Sequence, residues 1–214
     1  MRNRSENQIN VIFIRHGATE SNTKRRYIGK TDESLSKEGM SALYDARRSG
    51  AYPEVEYVFI SPMKRCVETS RILYPDIEPV IIKEWREIDF GAFEGKNYVE
   101  LQGDIRYQKW IDSNGILPFP EGESRESFNS RCSVGLHKMV QLLSDISIKH
   151  SNGYKCPSKY ETVGVIAHGG TIMSLLSQFG GGEYFDYQVP NGGGYVCTLE
   201  MENDRFRLKI LEQL

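Results

Sequence analysis

The sequence predicts a three-layer α/β/α protein, with a mainly parallel sheet, helices on both faces and an antiparallel edge hairpin at the C-terminus. Three observations carry that expectation. The short apolar runs Ile9–Ile14 and Val163–Ala167 lack the alternation of a half-solvated strand, so both of their faces should be buried. Helical patterns separate the apolar runs, as parallel crossovers require. Near the end, Phe206, Leu208 and Ile210 alternate with Arg205, Arg207 and Lys209, the mark of a strand with one wet face.

The elements follow in order. Ile9–Ile14 is the first strand. In "LSKEGMSALYDARRSG", Ser36 is the expected N-cap and Gly50 the expected stop of a helix. "VEYVFI" at 55–60 is a second strand. "SPMKRCVETSRILY" reads as a helix capped by Ser61, with Pro62 at the first helical position, where its missing N–H costs nothing. "PVIIK" at 79–83 is a third strand. The longest helical pattern runs from Ser124 to Ile148, with Phe128, Cys132, Met139, Leu143 and Ile146 as its core face. The polar segment "KHSNGYKCPSKYE" reads as a loop. Val163–Ala167 is the fourth strand, and the helical stretch "TIMSLLSQF" follows it. "YVCTLEM" and "RFRLKIL", joined by a turn at "END", form the hairpin. No internal repeat and no linker divides the 214 residues, so residues 1–214 are expected to form one domain.

Composition narrows the function. With Lys+Arg at 27 and Asp+Glu at 29, the net charge of -2 gives no support to nucleic-acid or anionic-membrane binding. Cys66, Cys132, Cys156 and Cys197 are widely spaced and read as free thiols of a reducing compartment. The polar start "MRNRSENQIN" has no signal-peptide core, and no window is long and apolar enough to span a bilayer, so a cytoplasmic protein is expected. The sequence does not indicate an oligomeric state.

Polar groups converge where strands end. Ligands of open α/β sheets sit beyond the carboxyl ends of the parallel strands. Arg15 and His16 follow the first strand, Ser61 and Arg65 the second, Arg86 and Glu87 the third, and His168 with Gly169 the fourth. A metal site is disfavoured, because Arg15 beside His16 would repel a divalent cation and no HExxH-like spacing occurs. Neither metal nor cofactor is expected. The same charges favour an anion with several oxygens, and a phosphoryl group fits the arginine fork.

The motifs "IRHGATESN", "YIGKTDESLSKEG", "SPMKRCVETS", "WREIDFGAFEG", "FPEGES" and "VIAHGG" resemble, in that order, the histidine phosphatase superfamily, in its phosphoglycerate-mutase-like branch. The resemblance runs from about Val11 to Asn191. It implies that His16 is a nucleophile that becomes phosphorylated and that Glu87 donates a proton to the leaving group. Arg15, Arg65 and His168 would hold the phosphoryl oxygens, with Asn22 as a further donor, and Gly17 and Gly169 would let backbone approach the ligand. Phosphoryl transfer asks for little beyond an in-line nucleophile and charge on three equatorial oxygens, which such a set supplies.

Members of that family return the phosphoryl group to substrate as mutases or give it to water as phosphatases. Mutases resembling this branch carry an arginine directly after the glutamate, where this chain has Ile88. They also carry an arginine pair in the insertion that follows, whereas between Glu87 and Glu121 only Arg106 occurs here, and the C-terminal tail that shields their phosphohistidine has no counterpart after the last strand. The expected activity is therefore hydrolysis of a small phosphorylated metabolite, with cofactor-dependent phosphoglycerate mutase as the alternative and a non-catalytic phospho-ligand-binding or scaffold module as the lesser one. "REIDFGAFEG" and "FPEGES" look closest to α-ribazole phosphatases and fructose-2,6-bisphosphatases. Tyr27, Phe90, Phe93, Tyr98 and Trp110 are candidates for a leaving-group pocket, though core or surface is the commoner place for each, and Arg25 and Arg26 read as a solvated charge run.

Overall fold

A computed structural model describes residues 8–151, 162–202 and 205–214. Six strands form one sheet in the order β3-β2-β4-β1-β5-β6. The four strands β1 (Gln8–Arg15), β2 (Tyr57–Ile60), β3 (Val80–Ile81) and β4 (Thr162–Ala167) run parallel, and β5 (Gly194–Glu202) and β6 (Arg205–Gln213) add antiparallel at the β1 edge. The helices are α1 (Glu20–Thr23), α2 (Lys37–Arg48), α3 (Lys64–Leu73), α4 (Ile105–Asp112), α5 (Arg125–Ser151) and α6 (Gly169–Gly180).

The unbroken apolar runs are explained by the two faces they bury. Val11, Phe13, Phe59, Val163 and Val165 pack against Phe128, Cys132 and Met139 of α5 and Ile172 and Leu175 of α6. The residues between them, Ile12, Ile14, Val58, Ile60 and Ile166, pack on the opposite face against Leu43 of α2 and Cys66, Ile72 and Leu73 of α3. Each fully buried aliphatic or phenyl group contributes about 1.5–3 kcal/mol of transfer free energy, so substitution on either face is costly. This is the expected α/β/α sandwich. Leu143 is buried as expected, whereas the side chain of Ile146, Cys156 and the turn at residues 203–204 lie outside the described residues.

Local signals held in most places. Ser36 caps α2 by accepting the Gly39 N–H at 3.0 Å, and Gly50 follows its C-cap with φ 74°. Two expectations need correction. α3 begins at Lys64 behind Met63, which makes no side-chain cap bond, so Ser61 and Pro62 precede the helix. The Ser61 hydroxyl is engaged by His168 instead. α5 continues to Ser151, three residues into the segment read as a loop. In the hairpin, Leu208 is buried but Ile210 is 36% exposed, the last residue before an irregularity in register between Val196 and Cys197. Among the described residues, no helix is long and apolar enough to cross a membrane.

Candidate active site

Strand register brings the two histidines together. β1 and β4 pair Arg15 with Ala167, and the ladder continues one step as the His16 N–H donates to the Ala167 carbonyl at 3.0 Å. On the other side of β4, the Ser61 N–H donates to the Ile166 carbonyl at 3.0 Å. His16 and His168 therefore emerge beside one another, with ring centroids 5.2 Å apart at 68°. Both are buried.

Each ring is held by specific partners. His16 Nδ1 lies 2.7 Å from the Gly17 carbonyl, which can only accept, so Nδ1 carries the proton and Nε2 keeps its lone pair. Arg65 Nε–H donates to His168 Nδ1 at 3.3 Å, so the neutral His168 ring has its proton on Nε2 and donates it to Ser61 Oγ at 2.7 Å. Burial, followed by the fields of Arg65 and Arg15, holds His16 well below the ordinary histidine value. Burial, followed by Arg65 and the second histidine, does the same to His168. Both rings are neutral near pH 7.

The guanidiniums are fixed by backbone carbonyls. Arg65 is 1% exposed and donates from Nη1 to Thr31 O at 2.9 Å and from Nη2 to Gly29 O at 3.1 Å. Arg15 Nη1 donates to Val189 O at 2.8 Å, and its buried Nε has no partner. Asn22 owes its orientation to the capping box that opens α1. Its Oδ1 accepts from the Thr19 N–H at 3.2 Å and from Asn191 Nδ2 at 3.0 Å, which leaves the Asn22 amide N–H groups as donors.

Glu87 completes the set from the segment after β3. Its Oε1 accepts the Ile88 N–H at 2.9 Å and its Oε2 the Gly170 N–H at 3.4 Å. Desolvation raises its pKa, outweighing those two hydrogen bonds and the opposing fields of Arg65 and Arg15. A neutral imidazole with a free lone pair, two cations and a carboxyl whose pKa burial raises thus share one sheet edge. That combination can receive, stabilise and protonate around a phosphoryl group.

Gly17 and Gly170 both stand where a side chain would clash. A Cβ on Gly17 would come 2.6 Å from Leu43 Cδ1, and one on Gly170 would come 2.4 Å from Glu87 Oε1. Gly169, expected to admit the ligand, would place a Cβ at an ordinary 3.5 Å from Arg15 Nε. The tight approach belongs to its neighbour.

Several supporting residues escaped the sequence reading. Asn191 Nδ2 also donates to the His16 carbonyl at 3.1 Å, and only the turn-like pair Asn191–Gly192 marked that place. Glu94 accepts the Gly29 N–H and the Thr31 N–H at 3.0 Å each, fixing the two carbonyls that hold Arg65. Arg131 of α5 donates to the carbonyls of Glu84 (2.7 Å), Arg86 (2.5 Å) and Glu87 (3.0 Å) and makes a bidentate pair with Glu123 at 2.7 Å. It is a strut beneath Glu87.

Beside Arg15 and Glu87 opens a cavity of about 250 Å³. Tyr27, Phe90 and Trp110 line it, with Phe119, Tyr184 and Phe185, which the sequence had not suggested. Phe93 is fully buried in the core and Tyr98 is 49% exposed, so neither lines it. Arg26 pairs with Glu100 at 2.8 Å. Cys66, Cys132 and Cys197 are buried free thiols whose pKa burial pushes up to about 12, so they stay protonated and inert.

Known proteins bear out the resemblance. An uncharacterized phosphatase, PhoE, of Bacillus subtilis (strain 168) is 26% identical over 204 residues, 93% of this chain and 92% of that protein. The 2,3-bisphosphoglycerate-dependent phosphoglycerate mutase of Blochmanniella pennsylvanica (strain BPEN) is 26% identical over 209 residues, 85% of this chain and 89% of that protein. The crystal structure of the α-ribazole phosphatase from Shigella flexneri superposes with a TM-score of 0.69 at 20% identity, covering 95% of this chain and 96% of that one, and so shares its fold. The histidine phosphatase superfamily (branch 1) matches residues 11–213, and the chain belongs to that family.

Proposed function

We propose that this chain is a phosphatase that hydrolyses a phosphomonoester of a small metabolite through a phosphohistidine on His16. The observation that carries this reading is the juxtaposition of His16 and His168, ring centroids 5.2 Å apart, with Arg15, Arg65 and a Glu87 whose pKa burial raises.

His16 Nε2 attacks phosphorus as the bond to the leaving oxygen breaks, and Glu87 gives that oxygen its proton. Arg15, with its unpartnered Nε, Arg65 and the Asn22 amide donate to the equatorial oxygens. The incoming dianion offsets part of the burial and the arginine fields that keep His168 neutral. The ring then takes a second proton, from solvent as the substrate enters, on Nδ1, which turns from accepting the Arg65 Nε–H to donating to a phosphoryl oxygen while Nε2–H stays on Ser61. In the second half, water attacks phosphorus, the P–N bond breaks, and the Glu87 carboxylate takes the water's proton. Phosphate leaves and His16 is restored.

Hydrolysis is favoured over mutase transfer by two positions, Ile88 and Arg106. Ile88 stands where mutases of this branch have an arginine. The lone Arg106 is turned to Asp104 at 2.7 Å and Glu121 at 3.7 Å on the surface, and it does not line the cavity. Domain extent (residues 1–214), a small phosphorylated substrate rather than nucleic acid or membrane as partner, and a cytoplasmic setting belong to the same proposal.

The test is a panel of phosphorylated metabolites scored by phosphate release, run beside a mutase assay and a His16→Ala control. Phosphate release that depends on His16 supports the proposal. Phosphoryl exchange within phosphoglycerate and no release would establish the mutase, and no turnover above the control would leave a binding module.

A further inference from the structure

Arg125, the first residue of α5, has no acidic partner. Its Nη2 donates to the Asn114 carbonyl at 2.9 Å, and its guanidinium lies 4.6 Å from the ring centroid of Tyr184 and 5.0 Å from that of Phe185. None of the ion pairs among the described residues includes it. These two rings, set edge-to-face at 89°, and the carbonyl hold a planar fork at the wall of the cavity beside Glu87, with no acidic partner among the described residues.

The loop before α5 is shaped around this group. Asn114 and Gly115 both take left-handed φ values, 53° and 65°. A Cβ on Gly115 would come 2.7 Å from Arg125 Nη2 and 3.0 Å from Trp110 Cζ2, so glycine is what lets guanidinium and indole lie side by side. The Trp110 Nε1–H is buried and has no acceptor. The opposite end of the same cavity is Arg15, Glu87 and Gly170. Tyr184 spans the interval, with its hydroxyl 3.4 Å from the Gly170 carbonyl and Arg125 over its ring.

A leaving group that filled this cavity with hydrocarbon alone would strip water from Arg125, which costs free energy. A flat group would match the aromatic walls, and an anionic oxygen beyond it would meet the fork. An ammonium there would face a cation. We infer that Arg125 forms the acid-recognising end of the leaving-group subsite, and that the preferred substrate is a phosphomonoester whose leaving group is a flat ring bearing a carboxylate. This rests on the phosphomonoesterase reading above.

The experiment compares kcat/KM for 4-carboxyphenyl phosphate and its neutral isostere, 4-carbamoylphenyl phosphate, in the native protein and in Arg125→Gln and Arg125→Lys. Binding of the corresponding benzylphosphonates, which cannot be hydrolysed, is measured by titration calorimetry in parallel. The native protein is expected to favour the carboxylate in both readouts by about tenfold, the size of one charge-assisted hydrogen bond partly open to water. That ratio should fall to about one in Arg125→Gln and recover in part in Arg125→Lys, which keeps charge without the fork. Equal handling of the two compounds by the native protein, or a preference that survives Arg125→Gln, overturns the inference, as does better turnover of 3-phosphoglycerate, a carboxylate without a ring. Absence of turnover with intact binding preference would instead defeat the phosphatase reading and leave the subsite standing.

Discussion

Replacing Glu87 by glutamine separates proton donation from mere shape. In the native protein both carboxyl oxygens are acceptors, one from the Ile88 N–H at 2.9 Å and one from the Gly170 N–H at 3.4 Å. A glutamine keeps the shorter bond through its carbonyl oxygen but sets an NH2 against the Gly170 N–H, so a modest loss of about 1 kcal/mol in stability is expected. The catalytic effect should be larger and should depend on the leaving group. An alkyl phosphate departs as a strongly basic alkoxide, so loss of the acid should slow phosphoenzyme formation by about 10²–10⁴, or roughly 3–5 kcal/mol of barrier. p-Nitrophenolate needs little protonation, and its transfer should slow by less than about tenfold. The assay is rapid quench of a single turnover, because steady-state rates also contain the step in which Glu87 acts as base. Equal losses for the two substrates would refute the reasoning and leave Glu87 as an orienting or charge-balancing group.

Arg131→Met removes the donors to the Glu84, Arg86 and Glu87 carbonyls. It should lower stability by about 2–4 kcal/mol in denaturant titration and show a weaker form of the same leaving-group contrast, while restoration by lysine should be incomplete. Gly170→Ala would drive a Cβ to 2.4 Å from Glu87 Oε1, so it should lower kcat for alkyl esters and cost about 1–3 kcal/mol in thermal unfolding. The pH dependence follows from opposite shifts. His16 and His168 are depressed below 6.5, so the stability they confer is fully present above pH 6.5 and is lost as pH falls toward their folded values, which thermal unfolding across pH will show. Glu87 is raised above 4.5, so kcat/KM should be bell-shaped, falling on the acid limb as His16 is protonated and on the alkaline limb as Glu87 loses its proton.

The sheet and the convergence of strand ends were legible because periodicity reports burial directly. Runs such as Val11–Ile14 admit water on neither face, and the residue after such a strand is delivered to the ligand edge. Ser61 was misread because Ser-Pro is an ordinary helix start, and only tertiary structure shows that its hydroxyl meets His168 across 107 residues of sequence. Asn191, Glu94 and Arg131 act through backbone groups distant in the chain, and such contacts leave no local pattern. The cavity rings had the same difficulty. Phe93 and Trp110 are both aromatic residues of one insertion, yet the first is fully buried in the core and the second lines the pocket.

The central claim is that the phosphoryl group rests on His16 between substrate and water. Rapid quench with ³²P-labelled substrate, followed by acid and alkali treatment and peptide mapping, tests it most directly. The account predicts a label that is lost in acid, survives alkali, maps to the peptide containing His16 and is absent from His16→Ala. A label that survives acid, or one that persists in His16→Ala, would contradict it.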